Sequence, residues 1–303
     1  MGIPLRRQIG RVFPKSLRPA IKSQLFSLAS RRFHGIPRAR VSLVEAGDTA
    51  TLSIDNTSVI LAQPFADVSI WWLQEHPEDL LEVTVLLKLA AAVDGVMLDI
   101  GAHVGMFAAL FCTASAHDVL CFEPVAASQK AIEETAALNG FGDRIQVVVA
   151  AVGDRVGVTS MHLDAATGFA QAQNYESSPV SSSEQIVVQT TTVDAIRQTT
   201  DKKVGLLKID VEGFEAEVLE GATQTLLGDQ PVVAIEIHND YLSERGVSLS
   251  RMLTKLEDHG YRLMQLNGRA TSASAAARTF LPRAHLLAVP KARQLHYQQL
   301  LQT

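Results

Sequence analysis

The sequence predicts an α/β fold, a doubly wound, mostly parallel Rossmann-like sheet of seven strands with helices on both faces and an N-terminal extension. Three observations predict it. Val96–Ile100 is a short apolar run that ends in a loop carrying Gly101 and Gly105, after which Met106, Phe107, Leu110 and Phe111 recur at helical spacing. A second apolar run, Val119–Phe122, ends in Glu123 and Pro124, which places an acid about 20 residues beyond the glycine loop. Strand and helix patterns then keep alternating, which means a parallel sheet covered on both faces.

Taken in order, residues 1–44 form a basic N-terminal extension, 45–77 an accessory β and loop segment, and 78–303 the main domain. The extension holds ten Lys and Arg and no acid, and Pro4, Pro14, Pro19 and Pro37 exclude one long helix. Its apolar residues interleave with the cations, so a short amphipathic helix over 19–32 could make peripheral contact with an anionic membrane or glycolipid. Weak alternation over 41–62 predicts two or three short strands with a hairpin near Asp55-Asn56, and Trp71 and Trp72 are lid candidates. Leu80, Leu81, Val83, Leu86, Leu87 and Leu89 predict a helix over 78–92.

Further strands are expected at 119–123, 145–149, 204–210, 232–238, 261–265 and 286–289. Helices are expected at 125–139, stopped by Gly140, at 214–227, stopped by Gly228, and at 248–258, ended by Gly260. The stretch 153–203 breaks the rhythm and reads as a β-hairpin-like excursion over the ligand site, with a serine-rich tip. Residues 267–282 read as a surface loop.

Composition narrows the function. A chain of 303 residues with 47% hydrophobic residues builds one large domain and an extension. Two cysteines, Cys112 and Cys121, sit in apolar context, which points to thiols in a reducing, cytoplasmic compartment rather than a disulfide. No apolar run is long enough to span a bilayer. Nucleic acid is disfavoured as a partner, because the main domain is acidic and its basic residues are not interleaved with aromatics.

The loop Gly101-Ala102-His103-Val104-Gly105 lacks the Gly-x-Gly-x-x-Gly spacing that lets a pyrophosphate press on the backbone. Its ligand is therefore read as a nucleoside without phosphates, of which S-adenosylmethionine is the common one. Asp99, Gly101 and Gly105 would hold the methionine end, with Ala102 and His103 in the same cofactor-binding loop. Glu123 would hold the ribose hydroxyls, with Pro124 opening the next helix.

Six blocks then occur in order: Asp-Ile-Gly-Ala-His-Val-Gly at 99–105, Phe-Glu-Pro at 122–124, Ala-Ala-Val-Gly-Asp at 150–154, Thr-Val-Asp at 192–194, Leu-Lys-Ile-Asp-Val-Glu-Gly at 207–213 and Ile-Glu-Ile-His at 235–238. Together they resemble the FkbM family of S-adenosylmethionine-dependent methyltransferases over roughly residues 78–240. One departure is His103, where the family more often has Asn. The resemblance implies a place for Ala151 against the adenine. It also implies a hydroxyl acceptor on a sugar, glycolipid or polyketide-like small molecule.

Methyl transfer to a hydroxyl needs an aligned acceptor and a base. Lys208, Asp210 and Glu212 alternate and so share one face of a strand end; Glu236 and His238 repeat the spacing on the next strand. Asp210 or His238 is expected to take the proton, while Glu212 and Lys208 orient the acceptor; a metal is not required. The same acids with His238 could alternatively ligate a divalent metal. Two other functions compete: a nicotinamide-dependent oxidoreductase on the same sheet, and a non-catalytic binding protein that keeps the fold.

Overall fold

The structure, a computed structural model, describes residues 41–46, 49–54, 56–62, 73, 77–163, 170–171, 184–279 and 283–302. The basic arm through residue 40, the two tryptophans and the serine-rich tip lie outside the described residues. In chain order the elements are β1 (Val41–Ala46), β2 (Thr49–Ile54), β3 (Thr57–Ala62), α1 (Pro77–Ala92), β4 (Val96–Ile100), α2 (Met106–Ala114), β5 (Val119–Phe122), α3 (Ala126–Leu138), β6 (Ile145–Val148), β7 (Ala151–Val152), β8 (Gly157–Leu163), β9 (Ala170–Gln171) and β10 (Glu184–Thr191). They continue with α4 (Val193–Arg197), β11 (Val204–Ile209), α5 (Glu215–Glu220), α6 (Thr223–Gly228), β12 (Val232–His238), α7 (Asn239–Glu244), α8 (Leu249–Asp258), β13 (Tyr261–Met264), β14 (Ala270–Thr271), α9 (Ala273–Thr279), β15 (Arg283–Pro290) and α10 (Gln294–Gln302).

The central sheet runs β14-β13-β15-β12-β11-β4-β5-β6. Strands β12, β11, β4, β5 and β6 pair in parallel, and β15, β13 and β14 close one edge antiparallel. The seven expected strands are present, and the two-residue β14 adds an eighth. Alternate residues of each strand feed two cores, as the two-residue period requires. Met97, Leu206, Ala234 and Leu287 pack with α1, α2, α3 and α10. Leu98, Leu207, Ile235 and Leu286 pack with α5, α6, α8 and α9.

β1–β3 form a separate antiparallel meander, in which Ile54 of β2 pairs with Thr57 of β3. Side chains of α3 and of Asn139 just beyond it anchor it: Ile60 N donates to Asn139 Oδ1 at 2.9 Å, and Ala62 N to Thr135 Oγ1 at 3.0 Å. The first strand starts at Val41, within the segment assigned to the basic extension. Within 153–203 the described strands β8, β9 and β10 join β7 in a small sheet of order β7-β10-β8-β9, built on the antiparallel β8–β10 pair.

Two elements differ from expectation. The helix read over 214–227 is two, α5 and α6, broken at Gly221-Ala222. A Cβ on Gly221 would sit 2.1 Å from the Gly153 carbonyl oxygen, so the chain passes there too closely for a side chain. Asp194 supplies the second helix with a new N-terminus, accepting from Gln224 N, Thr225 N and Thr225 Oγ1. The loop read over 267–282 contains α9, because Ser272 Oγ accepts from Ala275 N and the small Ala273 and Ala276 pack fully against α8. Among the described residues, no helix is long and apolar enough to cross a membrane.

Candidate active site

The turns that follow β4, β5 and β11 at their carboxyl ends enclose a cleft of about 290 Å³, at the low end of the roughly 300–1,000 Å³ of small-molecule pockets. Gly101 lets two of these turns meet. Its φ is +84°, and a Cβ there would lie 1.8 Å from the Asp210 carbonyl oxygen. Asp210 N in turn donates to Ile100 O at 3.0 Å. The β11 turn uses the same device: Glu212 has φ 52° and Gly213 φ 95°, and a Cβ on Gly213 would strike Tyr241.

Glu123 lies at one end of the cleft. Its carboxylate is held by two backbone amides, His103 N at 3.0 Å and Val125 N at 2.8 Å. Burial pushes its pKa up to about 8, against the pull of those amides. Phe122, Val152 and Phe214 offer apolar surface, and Thr159 and Met161 of β8 with Thr190 of β10 bring the excursion onto the same cleft. An apolar slot beside a carboxylate fixed as an acceptor suits an adenosine, and Asp210 and Glu212 on the opposite wall suit a sulfonium's charge.

Of the residues read from sequence, Gly101, His103, Glu123, Pro124, Ala151, Asp210 and Glu212 line this cleft. Asp99, Ala102, Gly105, Lys208 and His238 are not among the lining residues. Asp99 is buried beneath the loop, and burial pushes its pKa up to about 7 against the Lys208 ammonium. Ala102 N donates to Phe122 O, and Gly105 packs against Ile132 at the start of α2. Lys208 is 1% exposed and lies 3.5 Å from Asp210 Oδ2, 3.6 Å from Glu82 Oε1 and 4.5 Å above the Phe107 ring. Burial works against its charge, but Glu82 and Asp210 hold its pKa above the ordinary range.

Behind the cleft, the face that feeds the α1–α2 core turns ionisable towards the carboxyl ends of β11 and β12. Leu206 gives way to Lys208, and Ala234 to Glu236 and His238. β15 runs opposite and brings Arg283 against His238 and His285 against Glu236. Arg283 Nε lies 2.6 Å from Glu236 Oε1 and Arg283 Nη2 pairs with Asp79; His285 Nε2 lies 2.7 Å from Asp79 Oδ1. Burial pushes Glu236 up to about 8, with Asp210 adding to the rise. Burial opposes protonation of His238, yet Glu212, Glu215 and Glu236 raise its pKa well above the usual imidazole value.

Sequence reasoning missed this support. Asp79 and Glu82 fall inside the helix expected over 78–92 and left no signal of their own. Arg283 and His285 did leave a signal, a charged pair two apart on a strand, matching Glu236 and His238. Arg245, which also lines the cleft, left none; it lies 3.6 Å over the Phe214 ring and pairs with Glu217 and the Gly213 carbonyl.

A family model described as the methyltransferase FkbM domain matches residues 99–263, more than half of the chain. No curated protein matches it. Among solved structures, an FkbM methyltransferase from Methylobacillus flagellatus KT is similar at 18% identity and TM-score 0.41, over 65% of this chain and 43% of that one. The chain thus spans less than half the length of that protein. Streptococcus pneumoniae Sp1610, solved in complex with S-adenosyl-L-methionine, is similar at 14% identity and TM-score 0.38, over 67% of this chain and 71% of that one. The family sets aside the nicotinamide reading. The chain belongs to the FkbM family of methyltransferases, and its cofactor is S-adenosylmethionine.

Proposed function

We propose that the chain methylates a hydroxyl of a small-molecule acceptor such as a sugar, glycolipid or polyketide-like compound. The observation that carries this reading is the division of the cleft. One end presents the Glu123 carboxylate, with an apolar slot beside it. The other presents Asp210 and Glu212, with His238 3.6 Å behind Glu212. The cofactor supplies an electrophilic methyl with a neutral thioether as leaving group. This chain's residues must bring a hydroxyl into line and remove its proton.

Glu123 accepts from the ribose hydroxyls, and the backbone at Gly101–His103 supports the methionine end. Asp210 and Glu212 border the acceptor space and receive the hydroxyl proton within the cluster that includes His238. Lys208 touches no acceptor; it fixes Asp210 from beneath through their ion pair. A neutral hydroxyl has no charge of its own to steer it, and a wall of carboxylates with a charge-raised histidine is built for hydrogen-bond donors rather than for anionic acceptors.

The experiment presents candidate glycans and hydroxylated metabolites with the labelled cofactor and looks by mass spectrometry for a gain of one methyl. Asp210→Asn and His238→Ala should each lower turnover at least a hundredfold while calorimetry still detects the demethylated cofactor. Unchanged turnover in both would remove the cluster from the chemistry. Cofactor binding with no transfer to any hydroxyl acceptor would favour a non-catalytic protein of this fold.

A further inference from the structure

Glu215 opens α5 and is fully buried. A carboxylate removed from water is costly unless charge and hydrogen bonds meet it. Here both hydrogen bonds fall on one oxygen. Oε1 accepts from Gly213 N at 3.0 Å and lies 2.9 Å from His238 Nδ1, while Oε2 meets no partner among the described residues. An oxygen that already accepts from a backbone amide is an acceptor, so the proton between Oε1 and Nδ1 belongs to the ring.

That single oxygen joins two parts of the acceptor wall. Gly213 belongs to the turn after β11 that carries Asp210 and Glu212, and His238 ends β12. The turn is gripped on its other sides as well. Arg245 donates to the Gly213 carbonyl oxygen, and a Cβ on Gly213 would stand 2.5 Å from Tyr241 Cβ. The His238 ring lies parallel to Tyr241, with 5.8 Å between ring centres and 8° between planes. With Nδ1 tied to Glu215 and one face turned to Tyr241, the ring presents its Nε2 edge in one direction. That edge faces Glu236 Oε1 at 3.5 Å, Glu212 Oε2 at 3.6 Å and Asp210 Oδ1 at 4.0 Å. Asp210 and Glu212 are the two that reach the cleft.

We infer that Glu215 is a positioning residue for methyl transfer: through Oε1 it holds His238 with a proton fixed on Nδ1 and Nε2 aimed at the carboxylates of the acceptor wall, and it steadies the turn that carries two of them. His238 then stands behind Asp210 and Glu212 as a cation. Burial opposes that charge, but Glu212, Glu215 and Glu236 outweigh it. The other cations near the ring serve other acids: Lys208 pairs with Asp210 from beneath, and Arg283, opposite His238 in register on β15, holds Glu236. Burial works against an ionised Asp210, and Lys208 and then His238 keep its pKa below the ordinary carboxylate value. A carboxylate kept ionised in this way receives the acceptor's proton as the oxygen–carbon bond forms and the carbon–sulfur bond breaks, and the sulfur leaves as a neutral thioether. The catalytic part rests on the methyl-transfer reading above; the hold on the ring does not, and is read without acceptor.

The full chain is prepared with isotope-labelled histidine ring nitrogens, and His238→Gln identifies the signals of this residue. Nuclear magnetic resonance then follows the ring against pH with the demethylated cofactor bound. Nδ1 should keep its proton throughout, and Nε2 should lose its own well above the ordinary imidazole range. Glu215→Gln should lower that midpoint by about one pH unit or more, a tenfold loss of proton affinity. Glu215→Leu should free Nδ1, so that the neutral ring shares its proton between both nitrogens. Retained binding of the demethylated cofactor shows that each variant is folded. In both variants kcat should fall roughly tenfold or more while the acceptor's KM and the cofactor's Kd stay nearly constant. Glu220→Gln removes a carboxylate from the exposed side of the same helix and should move neither readout. A ring unchanged in both Glu215 variants would overturn the inference, even with turnover reduced, because Glu215 would then be merely structural. A ring altered as described with turnover unchanged would remove Glu215 from the chemistry and leave the proposed function standing. A ring altered as described in a chain that methylates no hydroxyl would sink that function and leave the hold of Glu215 on His238.

Discussion

Replacing Gly101 by alanine tests how the cofactor loop and the acceptor strand are joined. The new methyl would sit 1.8 Å from the Asp210 carbonyl oxygen and 3.0 Å from its carbon. Contacts of such atoms under 3.0 Å are essentially never seen, so one backbone must retreat by more than an ångström. The φ of +84° adds strain of about 1–2 kcal/mol for any residue with a Cβ. Retreat strains or breaks the bond from Asp210 N to Ile100 O, about 1 kcal/mol, and overpacking adds about 1–3 kcal/mol. Lower entropy of the unfolded alanine chain returns about 0.4–1 kcal/mol. The net loss is therefore roughly 2–6 kcal/mol, against a typical domain stability of about 5–15 kcal/mol. Two controls separate the causes. Gly140 has φ +72° but open space, so Gly140→Ala should cost about 1 kcal/mol; Gly142 has open space and no positive φ, so Gly142→Ala should be neutral or slightly stabilising. Urea unfolding of the three variants gives the ranking, and calorimetry with the demethylated cofactor reports whether the loop survives. A Gly101→Ala loss below 1 kcal/mol with unchanged cofactor affinity would refute the reasoning.

Further outcomes follow from single contacts. Glu123→Gln keeps the shape but replaces one acceptor oxygen with an amide donor that faces a backbone N–H. Hydrogen bonds to charged groups contribute about 1.5–3 kcal/mol, so affinity for the demethylated cofactor should fall roughly 10- to 100-fold by calorimetry. Because burial raises Glu123 to about 8, the carboxyl is mostly protonated below that pH, while ribose hydroxyls bind best to the ionised form. Cofactor affinity should thus rise as pH climbs from 6.5 through 8, with proton release on binding, and Glu123→Gln should flatten the profile. Asp194→Ala removes the acceptor for three donors at the start of α6 and should lower stability by about 1–2 kcal/mol in urea melts without moving the cofactor's Kd.

Short-range pattern carried most of the fold. Short apolar runs placed β4, β5, β11 and β12, and the stops at Gly140 and Gly260 fell at helix ends with φ of +72° and +89°. What failed depended on contacts far away in sequence. Gly221 looks like a tolerated helix interior residue until Gly153 is seen against it. The alanines near 273–277 look like a loop until α8 is seen to need small residues there. Thr192-Val193-Asp194, quoted as a motif, proves structural: Thr192 caps α4 and Asp194 caps α6.

The Lys-Ile-Asp-Val-Glu-Gly block shows the same boundary at the level of the site. Its period groups Lys208, Asp210 and Glu212 on one strand face, but β11 ends at Ile209, so Asp210 and Glu212 belong to the turn, where Val211 lines the cleft beside them. Burial separates them: Lys208 faces inward, whereas Asp210 and Glu212 border the cleft. An interior lysine requires carboxylate partners, and one of them, Glu82, lies 126 residues earlier on α1. The residues that steady this wall from behind, Asp79, Glu82, Arg283 and His285, all lie outside the region 99–263 that identifies the family. The cofactor loop and Glu123 lie inside it. The family match therefore describes the methyl donor's half of the cleft more completely than the acceptor's, and variation in α1 and β15 can retune Asp210, Glu236 and His238 without altering a single cofactor contact.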